Sequence, residues 1–275
     1  AHYEIFNAAT RFIRENADRP FFCYLPITPP HGLFDIPEED PAWAIYRDKE
    51  WPLEARRYAA MVSMVDRQVG EVISLLEELE LDEKTLVIFC GDNGGNDYFA
   101  SADSPRGFHA PNVNPRTGVE FRGRKGTLYE GGLRIPMIAR WPGKIEPGQV
   151  SDHLWYFPDV MPTLAEMAGT GKQGPGDIDG LSFLPSLLQQ GTQHEHEYLY
   201  WAFYERGGSR ALRSGDWKAV QQPIHSPVRL YDLKQDLGEE VDVAAAHPDL
   251  VKKLTGQMDA AYAPSARWKF PEKKK

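Results

Sequence analysis

Apolar positions along the chain follow two periods, and the two periods predict helices and strands. Three segments repeat apolar residues about every 3.6 positions and are predicted to be amphipathic helices: residues 3–16, 54–80 and 248–262. Three short continuous apolar runs predict strands: residues 21–25, 85–90 and 135–141. The run at 85–90 is apolar on both faces, which favours a parallel strand between helices.

The order of these elements predicts an α/β fold with a doubly wound sheet. Residues 26–41 contain five prolines and are predicted to be a loop, and a helix is predicted at 159–168. Four short strands predict a small antiparallel sheet, completed by the last helix: residues 199–203, 210–213, 217–221 and 229–233. We therefore divide the chain into an α/β part, residues 1–195, and a small C-terminal subdomain, residues 196–275.

Composition excludes several classes of function. The net charge of −9 over 275 residues argues against nucleic-acid binding, so an anionic substrate would need a local cluster of cations. No apolar run approaches the roughly 18 to 20 residues that span a bilayer.

Cys23 and Cys90 lie in apolar runs and are predicted to be buried free thiols. The first residues resemble the middle of an amphipathic helix, so we expect the sequence to be part of a longer protein.

Asp92 and Asn93 follow the predicted strand at 85–90 and have glycines on both sides. Ligands of doubly wound sheets bind beyond the carboxyl ends of the strands. Carboxylate and amide oxygens are ligands for Ca²⁺ or Mg²⁺ rather than for zinc. The alternative is an ordinary Asp-Asn-Gly turn that ends the strand, and the dipeptide alone does not decide between them.

Lys125 lies in a second motif, the segment Arg-Gly-Arg-Lys-Gly at residues 122–126. Its cations are Arg122, Arg124 and Lys125. A lysine held by glycine-rich backbone can approach an oxyanion closely as a point charge. A solvated basic loop is the alternative interpretation. Glu130 is expected to anchor this loop by pairing with a nearby cation.

Two histidines lie in loops where a substrate could bind. His31 follows a predicted strand in a stiff Pro-Pro-His-Gly segment, and it could donate to an anion or protonate a leaving group. His109 lies in the Gly- and Pro-rich excursion between the two motifs and is a candidate pocket residue. An exposed surface position is the alternative for His31, and His194 and His196 are predicted to be exposed.

Taken together, the motifs resemble the type I, formylglycine-dependent sulfatases of the alkaline phosphatase superfamily. The matching segments occur in order along the whole chain: residues 92–95, 124–136, 141–145, 159–164, 179–182 and 213–218. The resemblance implies a partial alkaline-phosphatase-like α/β sandwich carrying a small C-terminal antiparallel sheet with a helix. It also implies that Asp92 and Asn93 bind Ca²⁺, with Mg²⁺ less favoured, and that Lys125 and His31 contact the sulfate ester.

The formylglycine nucleophile of this family comes from a cysteine or serine in Cys/Ser-x-Pro/Ala-x-Arg. Neither Cys23 nor Cys90 fits that pattern, and Ser209-Arg-Ala-Leu-Arg fits it only by accident, on a predicted strand of the C-terminal sheet. We therefore expect the nucleophile in a missing N-terminal part, and we expect this chain alone to be inactive.

The resemblance thus implies a sulfuric ester hydrolase, an arylsulfatase-like enzyme that acts on sulfate esters of carbohydrates. The alternatives are a phosphate or phosphonate ester hydrolase of the same superfamily and a non-catalytic pseudo-enzyme that binds sulfated glycans. Family analogy favours a periplasmic or secreted location.

Overall fold

The computed structural model describes residues 2–96, 112–170 and 177–272. Contacts divide the chain into two units, Ala1–Ile88 with Ala139–Glu146, and Phe89–Ile138 with Pro147–Lys275. The division falls within strands β1 (Val87–Cys90) and β2 (Met137–Arg140), which pair in a two-stranded sheet. The boundary predicted at residues 195 and 196 stays a prediction.

Three helices form most of the first unit: α1 (His2–Glu15), α2 (Pro41–Tyr46) and α3 (Leu53–Glu78). The predictions of α1 and α3 are confirmed, whereas α2, which begins at the last proline of the predicted loop, was missed. Its start has a clear local cause, because Asp40 caps the helix by accepting from the Ala42 N–H at 2.8 Å and Pro41 suits the first helical position.

The apolar face of α3 supplies the core of the first unit. One cluster joins residues of α3 to α2 and to the loop before it: Ile36, Ala42, Ala60, Met61, Met64 and Val65. A second cluster joins Leu75 and Leu76 near the end of α3 to Ile13 of α1. The 3.6-residue period therefore marks the buried face correctly.

The predicted strand at residues 21–25 is not a strand, and this prediction was wrong. Phe21 and Cys23 pack at the second cluster, while Phe22 and Tyr24 are 68% and 77% exposed. The segment has the alternating exposure of a strand but pairs with no strand among the described residues. An apolar run predicts extended backbone, but a strand also needs a neighbour that supplies hydrogen bonds.

In the second unit, four antiparallel strands are hydrogen-bonded in the order β3-β4-β5-β6. They are β3 (Leu199–Phe203), β4 (Ser209–Ser214), β5 (Trp217–Gln221) and β6 (Arg229–Asp232). Ser214 pairs with Trp217 at the predicted hairpin, whose Gly215 has a φ of +57°. The predicted C-terminal sheet is confirmed.

The two faces of this sheet bury different partners. One face carries Leu212, Ala219 and Leu230, which pack against Leu254 and Met258 of α7 (Pro248–Ala261). This agrees with the prediction that the last amphipathic helix completes the sheet. The opposite face packs against the segment that follows Lys125: Ala211, Val220 and Tyr231 contact Leu128 and Tyr129. Side chains alternate between the two faces of a strand, so one face packs on α7 and the other packs on the segment that follows Lys125.

Three shorter helices complete the second unit: α4 (Glu130–Leu133), α5 (Val160–Met167) and α6 (Leu184–Leu188). The helix predicted at 159–168 is confirmed, and α4 was missed. Within the described ranges, none of the helices has the length and apolar character needed to cross a membrane.

Candidate functional site

The strand end that carries Asp92 and Asn93 is bonded directly to the segment that carries Lys125. The Lys125 N–H donates to Gly95 O at 2.9 Å, and the Gly94 N–H donates to Gly132 O at 3.0 Å. The structure therefore brings together two motifs that lie about thirty residues apart in the sequence. Asp92 and Asn93 and the predicted anion ligand belong to one unit.

Glycine is required where these two segments meet, because the main chain of one packs directly against the main chain of the other. A Cβ on Gly94 would lie 1.8 Å from Gly131 O, and a Cβ on Gly131 would lie 2.4 Å from Gly123 O. A Cβ on Gly132 would lie 2.2 Å from Thr127 O. No side chain fits these gaps without moving the main chain, which explains the glycines at positions 94, 131 and 132.

Asp92 is exposed and Asn93 is partly buried. The Asn93 amide nitrogen donates to Gly94 O at 2.9 Å, which leaves its Oδ1 as the atom available to a cation. These two oxygens have the right chemistry for Ca²⁺, which takes about six to eight oxygen ligands in total. Nowhere in the described ranges do three or more His, Cys, Asp or Glu side chains cluster as a metal site. The pair fits the cation in donor type but supplies only part of a coordination shell.

The cations of the second motif have different surroundings. The Arg122 guanidinium donates to Glu239 O at 2.8 Å and to Tyr231 Oη at 3.1 Å, and it lies 4.4 Å from the centre of the Tyr129 ring. The guanidinium of Arg122 therefore has a structural role in holding this segment against the C-terminal sheet. Lys125 is partly buried and has no side-chain ion pair with any described residue.

Behind the Lys125 segment lies a buried ion network that joins α4 to strand β5. The Lys218 Nζ lies 2.7 Å from Glu130 Oε1 and 2.8 Å from Glu239 Oε1. The second of these contacts is an ion pair without hydrogen-bond geometry. Glu239 also accepts from the Glu130 N–H at 2.6 Å. Glu130 therefore anchors the loop as expected, and no sequence pattern pointed to its partner Lys218.

The two carboxyl groups of this network are shifted in opposite directions. Burial raises the pKa of Glu130, but the charges of Lys218 and Arg134 outweigh burial and lower it to about 2. Burial raises the pKa of Glu239, and Lys218 only partly opposes that effect. The difference arises because Glu130 is also paired with Arg134 and lies 3.7 Å from Arg213, while Glu239 has Lys218 as its cation.

Asp159 organises a second buried polar cluster. Its Oδ1 accepts from the Leu181 N–H at 2.8 Å and lies 2.9 Å from His196 Nε2, and its Oδ2 accepts from the Tyr156 N–H at 3.0 Å. The prediction that His196 is exposed was wrong, since its side chain is 8% exposed. The alternating polar sequence around His196 concealed the carboxylate about forty residues earlier that buries it.

The remaining candidates lie in other parts of the chain. His31 lies in the first unit, where its N–H donates to Thr28 O at 2.9 Å. His109 lies outside the described residues. Ser209 is buried on β4, which agrees with rejecting it as a nucleophile.

Both cysteines are free and partly buried. Burial raises the pKa of Cys23, and burial together with the charge of Asp92 raises the pKa of Cys90. Raised values keep both groups as thiols at neutral pH, which is unfavourable for a nucleophile.

A cleft of about 310 Å³ opens beside Arg122 and is lined by acidic residues: Glu120, Glu239 and Glu240. Three carboxylates make this cleft a poor site for an anion. The cations around Lys125 are therefore better placed than this cleft to receive a sulfate.

Fold and site together define an α/β protein. Its candidate site combines the oxygen donors of Asp92 and Asn93 with Lys125, on two glycine-rich segments that are hydrogen-bonded to each other. A family model described as Sulfatase matches residues 3–170. A second, described as N-sulphoglucosamine sulphohydrolase, C-terminal, matches residues 123–263. The chain belongs to the sulfatase family.

Individual relatives agree with this assignment. The chain is 30% identical to steryl-sulfatase of Mus musculus, covering 92% of this chain and 42% of that protein. It is 34% identical to N-acetylgalactosamine-6-sulfatase of Canis lupus familiaris, covering 75% of this chain and 35% of that protein. It therefore spans less than half the length of these two relatives.

The fold matches a solved structure over almost the whole chain. The crystal structure of Ps i-CgsB in complex with k-i-k-neocarrahexaose has a TM-score of 0.77 and 26% identity, covering 94% of this chain and 54% of that chain. The predicted α/β fold class with a small antiparallel sheet is thereby confirmed.

Proposed function

We propose that this chain is the part of a sulfatase that holds the sulfate ester, and that the whole enzyme hydrolyses sulfate esters of carbohydrates. The observation that carries the proposal is the hydrogen bond from the Lys125 N–H to Gly95 O. It holds the backbone of Lys125 beside the strand end that carries Asp92 and Asn93, which supports a role for this lysine there. An anion bound there would meet positive charge in a protein whose net charge is −9.

The relatives support the reaction and the class of substrate. The names steryl-sulfatase and N-acetylgalactosamine-6-sulfatase refer to sulfate groups on a sterol and on a sugar. The similar solved structure is described in complex with a neocarrahexaose, a carbohydrate. These names favour a sulfatase over the phosphate-ester and pseudo-enzyme alternatives.

Asp92 and Asn93 would supply two oxygen ligands of a Ca²⁺ ion, and other ligands would complete its shell. When bound, the ion supplies positive charge that polarises the sulfate oxygens. Lys125 would hold a sulfate oxygen and neutralise charge as it develops in the transition state. His31 would donate to a sulfate oxygen or protonate the departing alcohol oxygen, and His109 would contact the substrate.

The nucleophile in this proposal is a formylglycine that residues 1–275 do not supply. The test is the intact mass and N-terminal sequence of the protein from its natural source. A cysteine or serine converted to formylglycine, upstream of these residues, supports the proposal. A mature protein without formylglycine and without sulfate-ester hydrolysis would overturn it.

The role of Lys125 can be tested in the 275-residue chain by calorimetric titration with inorganic sulfate. Lys125→Gln is expected to weaken sulfate binding about tenfold, since one charge-assisted contact is lost. Lys144→Gln, which removes an exposed lysine in the other unit, is the charge-matched control and should bind like the wild type. Equal binding by both variants would remove Lys125 from the site.

A further inference from the structure

The turn between β3 and β4 places an arginine against the segment that carries Lys125. A Cβ built on Gly126 would lie 2.7 Å from Nη1 of Arg206 and 3.0 Å from its Cζ. The guanidinium therefore covers the backbone of the residue that follows Lys125. Gly126 and Arg206 lie about eighty residues apart in the sequence. The pairing of β3 with β4 forms the turn that brings Arg206 to Gly126.

The backbone at Arg206 is unusual for an arginine. Its φ is +53°, in the left-handed region that favours glycine or asparagine, and the next residues, Gly207 and Gly208, also have positive φ. Residues held in sparsely populated backbone regions cluster at functional sites, and four other non-glycine residues of this chain also have positive φ: Leu33, Glu80, Gln189 and Glu239. A turn selected only for its shape would favour a third glycine here.

The turn is held in place by aromatic packing. Tyr204 stacks on Phe270 with ring centres 4.7 Å apart. A Cβ on Gly208 would lie 2.9 Å from Phe270 and 3.0 Å from Pro271, so the C-terminal segment packs closely on the turn. The Gly208 N–H also donates to Glu205 O at 2.9 Å. Arg206 is thus presented from a fixed turn.

The charge around Arg206 is not neutralised within the described structure. Its side chain is exposed, and no described residue forms an ion pair with it or with Lys125. Lys218, Arg134 and Arg213 of the same unit all lie beside Glu130 instead. Arg206 therefore brings positive charge to the residue next to Lys125 in a protein of net charge −9, and no carboxylate of the described residues pairs with either side chain.

We propose that Arg206 is a substrate-binding residue that holds a second anionic group, a sulfate or a carboxylate, beside the sulfate ester held by Lys125. This inference rests on the proposed function and adds a substrate class to it, namely saccharides with neighbouring anionic groups. The planar guanidinium suits this role because it binds such groups through two parallel hydrogen bonds.

The test is calorimetric titration of the 275-residue chain with two probes. One probe is inorganic sulfate, and the other is a size-fractionated heparin hexasaccharide, which carries sulfates and carboxylates. Arg206→Gln is expected to weaken hexasaccharide binding about tenfold and to change sulfate binding by less than about twofold. Arg267→Gln, an exposed arginine of the same unit, should bind both probes like the wild type.

A second variant separates binding from a structural role. Arg206→Asn keeps a residue that tolerates the left-handed backbone, so the Tm should stay the same or rise while hexasaccharide binding falls. A lower Tm with unchanged hexasaccharide binding would make Arg206 structural and overturn the inference.

The outcomes also separate this inference from the proposed function. If Arg206→Gln binds the hexasaccharide as tightly as Arg267→Gln, while Lys125→Gln loses sulfate, the inference fails and the sulfate site stands. If the wild-type chain binds neither probe, both the inference and the sulfate site at Lys125 are overturned, while hydrolysis by the whole enzyme is decided by the formylglycine test.

Discussion

Lys218→Met should destabilise the second unit strongly, because it leaves two buried carboxylates without their shared cation. Lys218 is fully buried, with its Nζ at 2.7 Å from Glu130 and 2.8 Å from Glu239. Methionine keeps most of the side-chain volume, so the substitution removes charge more than packing. The loss should appear in the free energy of unfolding.

Two figures give the order of magnitude. Removing one partner of a buried ion pair costs about 3 to 5 kcal/mol. Lowering the pKa of Glu130 from its ordinary value of 4.5 to about 2 corresponds to about 3 kcal/mol at neutral pH. Arg134 and Arg213 share in that second figure, but the loss of the cation beside Glu239 adds to it. We expect a loss of about 3 kcal/mol.

The measurement is urea unfolding at pH 7, followed by tryptophan fluorescence. Lys234→Met removes an exposed lysine of the same unit and should change the free energy of unfolding by less than about 0.5 kcal/mol. Adding Glu239→Gln to Lys218→Met should recover about 1 kcal/mol or more, because it removes one uncompensated charge. A loss below about 1 kcal/mol for Lys218→Met would refute the reasoning.

Three further predictions use other parts of the structure. Because the pKa of Glu130 is lowered, its contribution to stability is complete above about pH 4.5 and is lost as the pH falls toward 2; Glu130→Gln should flatten the Tm profile in that range. Gly94→Ala should cost more than about 2 kcal/mol in urea unfolding and weaken sulfate binding, since its Cβ would meet Gly131 O, whereas Gly70→Ala in open space within α3 should stabilise by about 0.5 to 1 kcal/mol. His196→Ala should cost about 1 to 3 kcal/mol by removing a buried partner of a carboxylate, and the exposed His194→Ala should cost almost nothing; equal effects would contradict the buried pair.

The sequence alone determined most of the regular elements. Helix α3 holds its apolar period over its whole length, and β3 to β6 carry turn signals between short apolar runs, so local preference and burial pattern agree. The same reasoning failed at residues 21–25 and at α2, where the outcome depended on a pairing neighbour or on a single cap residue.

The candidate site divides in the same way. The sequence identified Asp92, Asn93 and Lys125, because each lies in a glycine-rich segment whose chemistry can be read locally. Only the tertiary structure joined them, through backbone hydrogen bonds across Gly94 and Gly95. It alone also placed Lys218 beside Glu130, 88 residues apart, and Arg206 over Gly126. Sequence patterns report what a segment prefers by itself, whereas ion pairs and shared sites depend on which distant segments the fold brings into contact.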